Sequence, residues 1–165
     1  MTDKAQPILI LTTGGTIDKQ YFDALSAYQI SDTTIGRLLQ VGRVTAPVRI
    51  VELMRKDSLE LTDEDRTIIH DTVQQAPETL IVIAHGTDTM TVTAQALSDI
   101  EGKTIALMGA LAPARFAESD AAFNLGMAMA TVQTAGPGVY ITMSGHVFRA
   151  GEVAKDREAG AFVHL

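Results

Sequence analysis

Five short apolar runs divide the chain, and they constrain its fold more than any other feature of the sequence. Runs this short that end in turn residues are typical of strands buried on both faces of a parallel sheet. Stretches with helical patterns lie between them. This alternation predicts an α/β fold of three layers, in which helices cover both faces of a mostly parallel sheet. The predicted strands are residues 8–11, 48–53, 80–84, 104–108 and 139–143.

Four helices are predicted between the strands from capping residues and from the spacing of apolar positions. Ser31 or Asp32 is placed to cap a helix that continues to about residue 40. Thr62 and Asp65 resemble a capping box with Asp in place of Glu, which predicts a helix to about residue 75. The remaining two helices are expected over residues 89–98 and 120–134.

The length and composition of the chain restrict its possible functions. Its 165 residues suit a single domain spanning residues 1–165. A net charge of −7 without any Lys/Arg run argues against a nucleic-acid partner, which requires a basic face. The absence of cysteine excludes disulfides and cysteine-based zinc sites. Residues 1–7 lack a signal-peptide pattern and no apolar run is long enough to span a membrane, so a cytoplasmic protein acting on a small molecule is predicted.

Hydroxyl and glycine residues cluster directly after the predicted strands. Since ligands bind at the carboxyl ends of strands in open α/β sheets, these residues are expected to face one crevice. Residues 12–17 read Thr-Thr-Gly-Gly-Thr-Ile, and the two glycines permit a tight turn that exposes the Thr16 hydroxyl. Taken alone, this motif supports a structural turn and a nucleophile equally. A phosphate-binding loop is disfavoured because no Gly-Lys-Ser/Thr follows.

A second motif, His-Gly-Thr-Asp-Thr at residues 85–89, follows another predicted strand. Asp88 alone is better explained as a helix cap, but beside a hydroxyl it also suits recognition of an ammonium group. His85 is expected to be packed and hydrogen-bonded rather than catalytic. A threonine nucleophile needs a base or a lowered pKa. Lys155 and Tyr21 are the candidates to assist it. The commoner alternatives are that the lysine is solvated at the surface and that the tyrosine is a half-buried packing residue.

Taken together, these motifs strongly resemble the asparaginase/glutaminase family. The resemblance covers nearly the whole chain, with the motifs in the family's order. It implies the fold of that family's amino-terminal domain, with the usual carboxy-terminal domain absent. The matching segments are Thr-Gly-Gly-Thr-Ile at 13–17, His-Gly-Thr-Asp-Thr-Met at 85–90, Met-Gly-Ala-Leu at 108–111, Asp-Ala-Ala-Phe-Asn-Leu at 120–125 and the stretch 148–155 that ends in lysine.

The resemblance implies an amidohydrolase that converts L-asparagine to L-aspartate and ammonia. Thr16 attacks the side-chain amide, ammonia leaves, and water hydrolyses the threonine acyl-enzyme. Tyr21 is implied to assist the nucleophile from a short lid, with Tyr28 as a weaker match. Thr87, together with Lys155, is implied to activate either Thr16 or the attacking water.

The resemblance also implies the substrate contacts. Asp88 is expected to hold the α-ammonium group, and Asp57 and Ser58 are expected at the α-amino-acid end, within a residue or two of register. Backbone amides near Gly15 and Thr87 are expected to form an oxyanion hole. The remaining expected contacts are Gly86 and Ala110.

Neither a metal nor an organic cofactor is required by this chemistry. The family resemblance implies a homodimer or homotetramer, and the Ala/Met-rich stretch 123–130 suits either a core helix or a dimer surface. L-glutamine and an amidated tRNA-linked residue are alternative substrates, the latter disfavoured by the charge of the chain. The alternative function is a relic domain that binds amino acids, or regulates a partner, without catalysis.

Overall fold

Ten strands are present in the computed structural model, which describes residues 5–30 and 33–165. All five strands expected from the sequence are confirmed, each to within one residue at its ends. In chain order the strands are β1 Ile8–Thr12, β2 Lys19–Phe22, β3 Ala27–Ile30, β4 Val48–Glu52, β5 Leu80–Ala84, β6 Thr104–Met108, β7 Gly138–Met143, β8 His146–Arg149, β9 Val153–Asp156 and β10 Ala161–His164.

Six of these strands form the central sheet in the order β4-β1-β5-β6-β7-β8. The first five run parallel and β8 pairs antiparallel with β7. Two small antiparallel pairs, β2 with β3 and β9 with β10, lie outside this sheet. The β2–β3 hairpin directly follows the first glycine motif, where the sequence predicted only a short lid.

Four α-helices lie within the described residues, and all four correspond to the predicted ones. The proposed caps Ser31 and Asp32 lie outside the described residues. Thr34 precedes the first helix, which begins later than predicted. The helices are α1 Ile35–Val41, α2 Asp63–Gln75, α3 Met90–Ala96 and α4 Ala121–Thr134.

Helix α2 begins with the predicted capping box. The Thr62 hydroxyl accepts a hydrogen bond from the Asp65 amide at 3.2 Å, and the Asp65 carboxylate accepts one from the Thr62 amide at 3.0 Å. Two backbone N–H groups that lack helical partners are thereby satisfied. The same carboxylate binds Lys56 at 2.7 Å, which ties α2 to the loop after β4.

Side chains of the sheet alternate between two separate cores. Leu9 and Ile81 face α2 and α3, whereas Ile8 and Val82 face α1 and α4. This alternation follows from the period of two along a strand. Buried residues on both faces confirm the predicted three-layer α/β fold.

Helix α4 belongs to the core on the α1 side of the sheet. Leu125, Ala128 and Met129 are buried there, as expected for a core helix. Phe123 is 63% exposed on the same helix, and the homo-oligomer stays a prediction. No helix in residues 5–30 and 33–165 has the length and apolar character needed to cross a membrane. The cytoplasmic location also stays a prediction.

Replacement of Thr62 by Ala should lower the free energy of unfolding by about 1 kcal/mol, because the Asp65 amide loses its acceptor. Thr67 lies exposed on the same helix and does not cap it, so Thr67→Ala is the matched control and should change stability by only a few tenths of a kcal/mol. Urea denaturation measures both variants. Equal losses in the two would contradict a capping role for Thr62.

Candidate active site

The loops that follow β1, β4 and β5 touch one another at glycines. A Cβ atom on Gly15 would lie 2.6 Å from the Gly86 Cα, and one on Gly86 would lie 2.7 Å from the Ser58 Cβ. A Cβ on Gly14 would lie 2.7 Å from the Lys56 nitrogen. Gly14 and Gly15 also have φ of 97° and 93°, where side chains are strained. The three loops therefore meet at a distance that leaves no room for side chains.

Thr16 and Thr87 follow directly after the two glycines in contact. Thr16 is half-buried and begins a short 3₁₀ helix, Thr16–Asp18. It lines a cavity of about 300 Å³ whose other lining residues are Lys19, Tyr28, Pro113 and Phe116. Thr87 is buried at the start of the segment that leads from β5 into α3.

Lys155 approaches Thr87 from β9. Its Nζ donates to Thr87 Oγ1 and to Asp88 Oδ1, each at 2.8 Å. The Lys155 side chain is only 17% exposed, so it is not a solvated surface lysine. Arg157 lies farther from the same carboxylate, at 3.7 Å. The structure thus brings together three residues that the family resemblance singles out.

Asp57 and Ser58 connect the loop after β4 to its neighbours. Asp57 accepts a hydrogen bond from the Leu59 amide at 3.0 Å and forms an ion pair with Lys19 at 3.2 Å. Ser58 is buried. Its hydroxyl accepts from the Thr89 amide at 3.3 Å, and its carbonyl accepts from the Thr89 hydroxyl at 2.7 Å. Asp57 therefore holds the β4 loop against the start of β2, and Ser58 holds it against the second candidate motif.

Positive and negative charges alternate along this edge of the sheet. The hydrogen bond from the Leu59 amide holds the pKa of Asp57 below its ordinary value, against the opposing effect of burial. The ammonium groups of Lys19 and Lys155 lower this pKa further. Asp57 is therefore an anion near two cations, and Lys155 in turn binds Asp88.

His85 is buried behind the site in a chain of hydrogen bonds. Its Nδ1 lies 2.6 Å from the Gly86 carbonyl, which can only accept, so Nδ1 carries the proton. Its Nε2 accepts from the Thr93 hydroxyl at 2.8 Å, and Thr93 Oγ1 accepts from Arg66 Nε at 3.2 Å. Burial lowers the pKa of His85 to about 4. The ring is therefore neutral and packed, as the sequence indicated.

The two candidate tyrosines differ in their position relative to the cavity that holds Thr16. Tyr21 is 47% exposed, and its ring centroid lies 5.2 Å from that of Tyr28. Tyr28 lines the cavity that holds Thr16, together with Phe116, whereas Tyr21 is not among the lining residues. The structure therefore places the weaker family match, Tyr28, in the cavity wall.

Ala110 is buried at the end of β6, and its methyl group belongs to the core on the α4 side of the sheet. The neighbouring Gly109 carbonyl accepts from Asn124 Nδ2 at 2.9 Å. The Asp120 carboxylate accepts from the Leu111 amide at 3.0 Å. These bonds fix the loop that follows β6.

Asp18 is a structural member of the site that sequence reasoning missed. It is buried and accepts from the Thr34 amide at 2.8 Å and from the Thr34 hydroxyl at 2.9 Å. Burial raises the pKa of Asp18, while these bonds act in the opposite direction. The turn that carries Thr16 is thereby anchored to the start of α1. An acidic residue only two positions after Thr16 was the available signal.

The part of the chain that the structure describes contains no group of three or more His, Cys, Asp or Glu side chains suited to hold a metal ion.

Comparison with known proteins places these features in a family. The family model described as "Asparaginase, N-terminal" matches residues 7–161. An L-asparaginase of Thermococcus kodakarensis is 29% identical over 159 residues, which are 93% of this chain and 48% of that protein. A glutaminase-asparaginase of Pseudomonas fluorescens is 29% identical over 167 residues, or 92% of this chain and 46% of that protein.

Structural similarity agrees with the sequence matches. The solved structure of the thermostable L-asparaginase from Thermococcus kodakarensis superposes with a TM-score of 0.83 at 26% identity. The match covers 96% of this chain and 51% of the other. The chain thus spans about half the length of the relatives it matches.

The buried His85 ring should stay neutral until the pH approaches 4. In the unfolded chain it titrates near 6.5, so between these values unfolding takes up a proton. Its contribution to stability is complete above pH 6.5 and falls by roughly 3 kcal/mol as the pH drops to 4. NMR titration of the assigned ring should show His85 unprotonated at pH 5.5. A His85 ring that titrates near 6.5 in the folded protein would contradict the burial argument.

Proposed function

This chain belongs to the asparaginase family, and on that premise we propose that it hydrolyses the side-chain amide of L-asparagine to L-aspartate and ammonia, with Thr16 as nucleophile. The observation that carries the proposal is the pair of 2.8 Å hydrogen bonds from Lys155 to Thr87 and Asp88. They lie beside the turn that holds Thr16. Relatives named glutaminase-asparaginase make L-glutamine the second candidate substrate.

Lys155 and Thr87 together supply the activation that a threonine nucleophile needs. An ammonium that donates to a hydroxyl oxygen stabilises the alkoxide form of that hydroxyl. Thr87 reaches this form by passing its own proton to the amine form of Lys155, and it can then take a proton from Thr16 during acylation or from water during hydrolysis of the acyl-enzyme. The proton leaves with ammonia in the first step and returns to the Thr16 oxygen in the second. The low exposure of Lys155 strengthens this interaction. Tyr28 and Tyr21 are the candidate proton partners from the hairpin.

The oxyanion hole is proposed at the backbone of Gly15 and Thr87. The carbonyl and the following N–H of a trans peptide point in opposite directions. Because His85 holds the Gly86 carbonyl, the Thr87 N–H is directed away from His85. Its orientation is therefore fixed before substrate binds, which is the preorganisation that this type of catalysis requires.

Substrate recognition is proposed at the acidic residues of the same edge. Asp88 accepts the α-ammonium group, since a carboxylate has acceptor capacity beyond its bond to Lys155. Asp57 and Ser58 contact the α-amino-acid end, and the backbones of Gly86 and Ala110 complete the contacts. The reaction then runs through attack by Thr16, loss of ammonia and hydrolysis of the acyl-enzyme, without a cofactor. A homodimer or homotetramer is the proposed assembly.

Thr16→Val should reduce ammonia release from L-asparagine by about a thousandfold or more, because the nucleophile is removed. Thr12 offers a matched control: its buried hydroxyl has no hydrogen-bond partner among residues 5–30 and 33–165, so Thr12→Val should keep both activity and stability. A coupled ammonia assay measures the variants. Equal activity in Thr16→Val and the wild type would overturn the assignment. Amino-acid binding by calorimetry without turnover in the wild type would instead support the non-catalytic binding domain.

Lys155→Met should abolish turnover to a similar extent while the melting temperature changes little. Lys103 is the control with a structural role. Its Nζ donates to the carbonyls of Ala76 and Glu78 at 2.6 and 2.7 Å. These residues precede β5, at the opposite edge of the sheet. Lys103→Met should lower the melting temperature and keep the turnover of the folded protein. Activity retained in Lys155→Met would remove Lys155 from the mechanism.

A further inference from the structure

Lys19 is a basic side chain beside the candidate nucleophile that the proposed mechanism does not use. Its amide donates to the Thr16 carbonyl where the 3₁₀ helix ends. Side chains three residues apart in a 3₁₀ helix lie over one another. Lys19 and Thr16 accordingly line the same cavity.

The ammonium group of Lys19 is paired with Asp57 rather than buried in the fold. The two groups lie 3.2 Å apart, with side chains 29% and 32% exposed. A half-exposed ion pair contributes little to stability. A charged ligand that replaces one partner of this ion pair therefore loses little binding free energy by breaking it.

The charges at this edge match those of a free amino acid. Lys19 and Asp57 are adjacent, Lys155 is close enough to lower the pKa of Asp57, and Lys155 binds Asp88. A zwitterion carries its carboxylate and its ammonium on one carbon atom, so it presents both charges to neighbouring partners of opposite sign. The substrate contacts proposed above include carboxylates for the α-ammonium group of the substrate but no cation for its α-carboxylate.

We propose that Lys19 binds the α-carboxylate of the substrate while Asp57 and Asp88 receive its α-ammonium. Lys19 then restricts the site to the side-chain amides of free amino acids and disfavours amides within peptides. This inference rests on the proposed function, because it assigns a ligand group at the same site.

Three other basic residues near this edge are less suited to the role. Lys155 already donates to two acceptors. Arg157 is 70% exposed and lies 3.7 Å from Asp88. Lys56 donates to both oxygens of Asp65 at the start of α2. Lys19 is the basic side chain in the wall that contains Thr16.

A comparison of two substrates tests the assignment. L-asparagine and its α-N-methylamide share the ammonium and the side-chain amide, but the second lacks the α-carboxylate. Only the side-chain amide releases ammonia in either case. The wild type should prefer L-asparagine by about 10- to 100-fold in kcat/KM, as expected for a charge-assisted hydrogen bond.

Lys19→Met should lose this preference by raising the KM for L-asparagine, with kcat/KM for the methylamide unchanged. Lys19→Arg should restore most of the preference, since it keeps the charge. Arg49→Met is the matched control, because it also removes a basic side chain paired with a carboxylate, but that carboxylate belongs to Glu78, before β5 at the opposite edge of the sheet. It should change neither substrate's kcat/KM.

Equal kcat/KM for the two substrates in the wild type would overturn the inference, as would equal losses for both in Lys19→Met. If neither substrate is hydrolysed, the proposed function fails, and calorimetry with L-aspartate and its α-N-methylamide then decides the inference separately. Preferential binding of L-aspartate that Lys19→Met abolishes would support it. Binding that is indifferent to the carboxylate or to Lys19 would overturn it.

Discussion

The contact between Gly15 and Gly86 is the constraint on which the rest of the candidate site depends. Strands β1 and β5 are parallel neighbours, with Thr12 paired to Ala84, so their following loops leave the same edge together. The loops then approach more closely than any Cβ would permit. A side chain at either glycine would force apart the backbones that carry Thr16 and Thr87. The proximity of Thr16 and Thr87 is thus a consequence of backbone packing.

Lys155 reaches this edge because of packing elsewhere in the fold. Val153 on the same strand is buried in the core that contains α3, and residues two apart on a strand share a face. Burial of Val153 therefore turns Lys155 toward the residues that precede α3. The pairing of Lys155 with Phe162, itself buried, reinforces this placement. The burial of Val153 and the charged contacts of Lys155 are therefore coupled, because both residues belong to the short strand β9.

The strands and the capping box of α2 could be predicted from sequence because each is encoded by neighbouring residues. The β2–β3 hairpin could not, since its residues are mostly exposed and carry no apolar alternation. The contact between the Tyr21 and Tyr28 rings follows from their cross-strand pairing in that hairpin. Asp18 is buried where the Thr34 amide and hydroxyl satisfy it, 16 positions along the chain. The candidate site residues Thr87, Asp88 and Lys155 are grouped by the family resemblance, because a contact across 67 positions leaves no local pattern.

A crystal structure with L-aspartate bound would show whether Thr16 faces the substrate. The side-chain carboxylate of the ligand should lie at the edge where the glycine loops meet, with its carbon about 3–3.5 Å from the Thr16 hydroxyl oxygen, a distance suited to attack. Thr87 and Lys155 should approach the same carbon from the other side. L-aspartate bound away from this edge, or a Thr16 hydroxyl directed away from the ligand, would contradict the role of Thr16 as nucleophile.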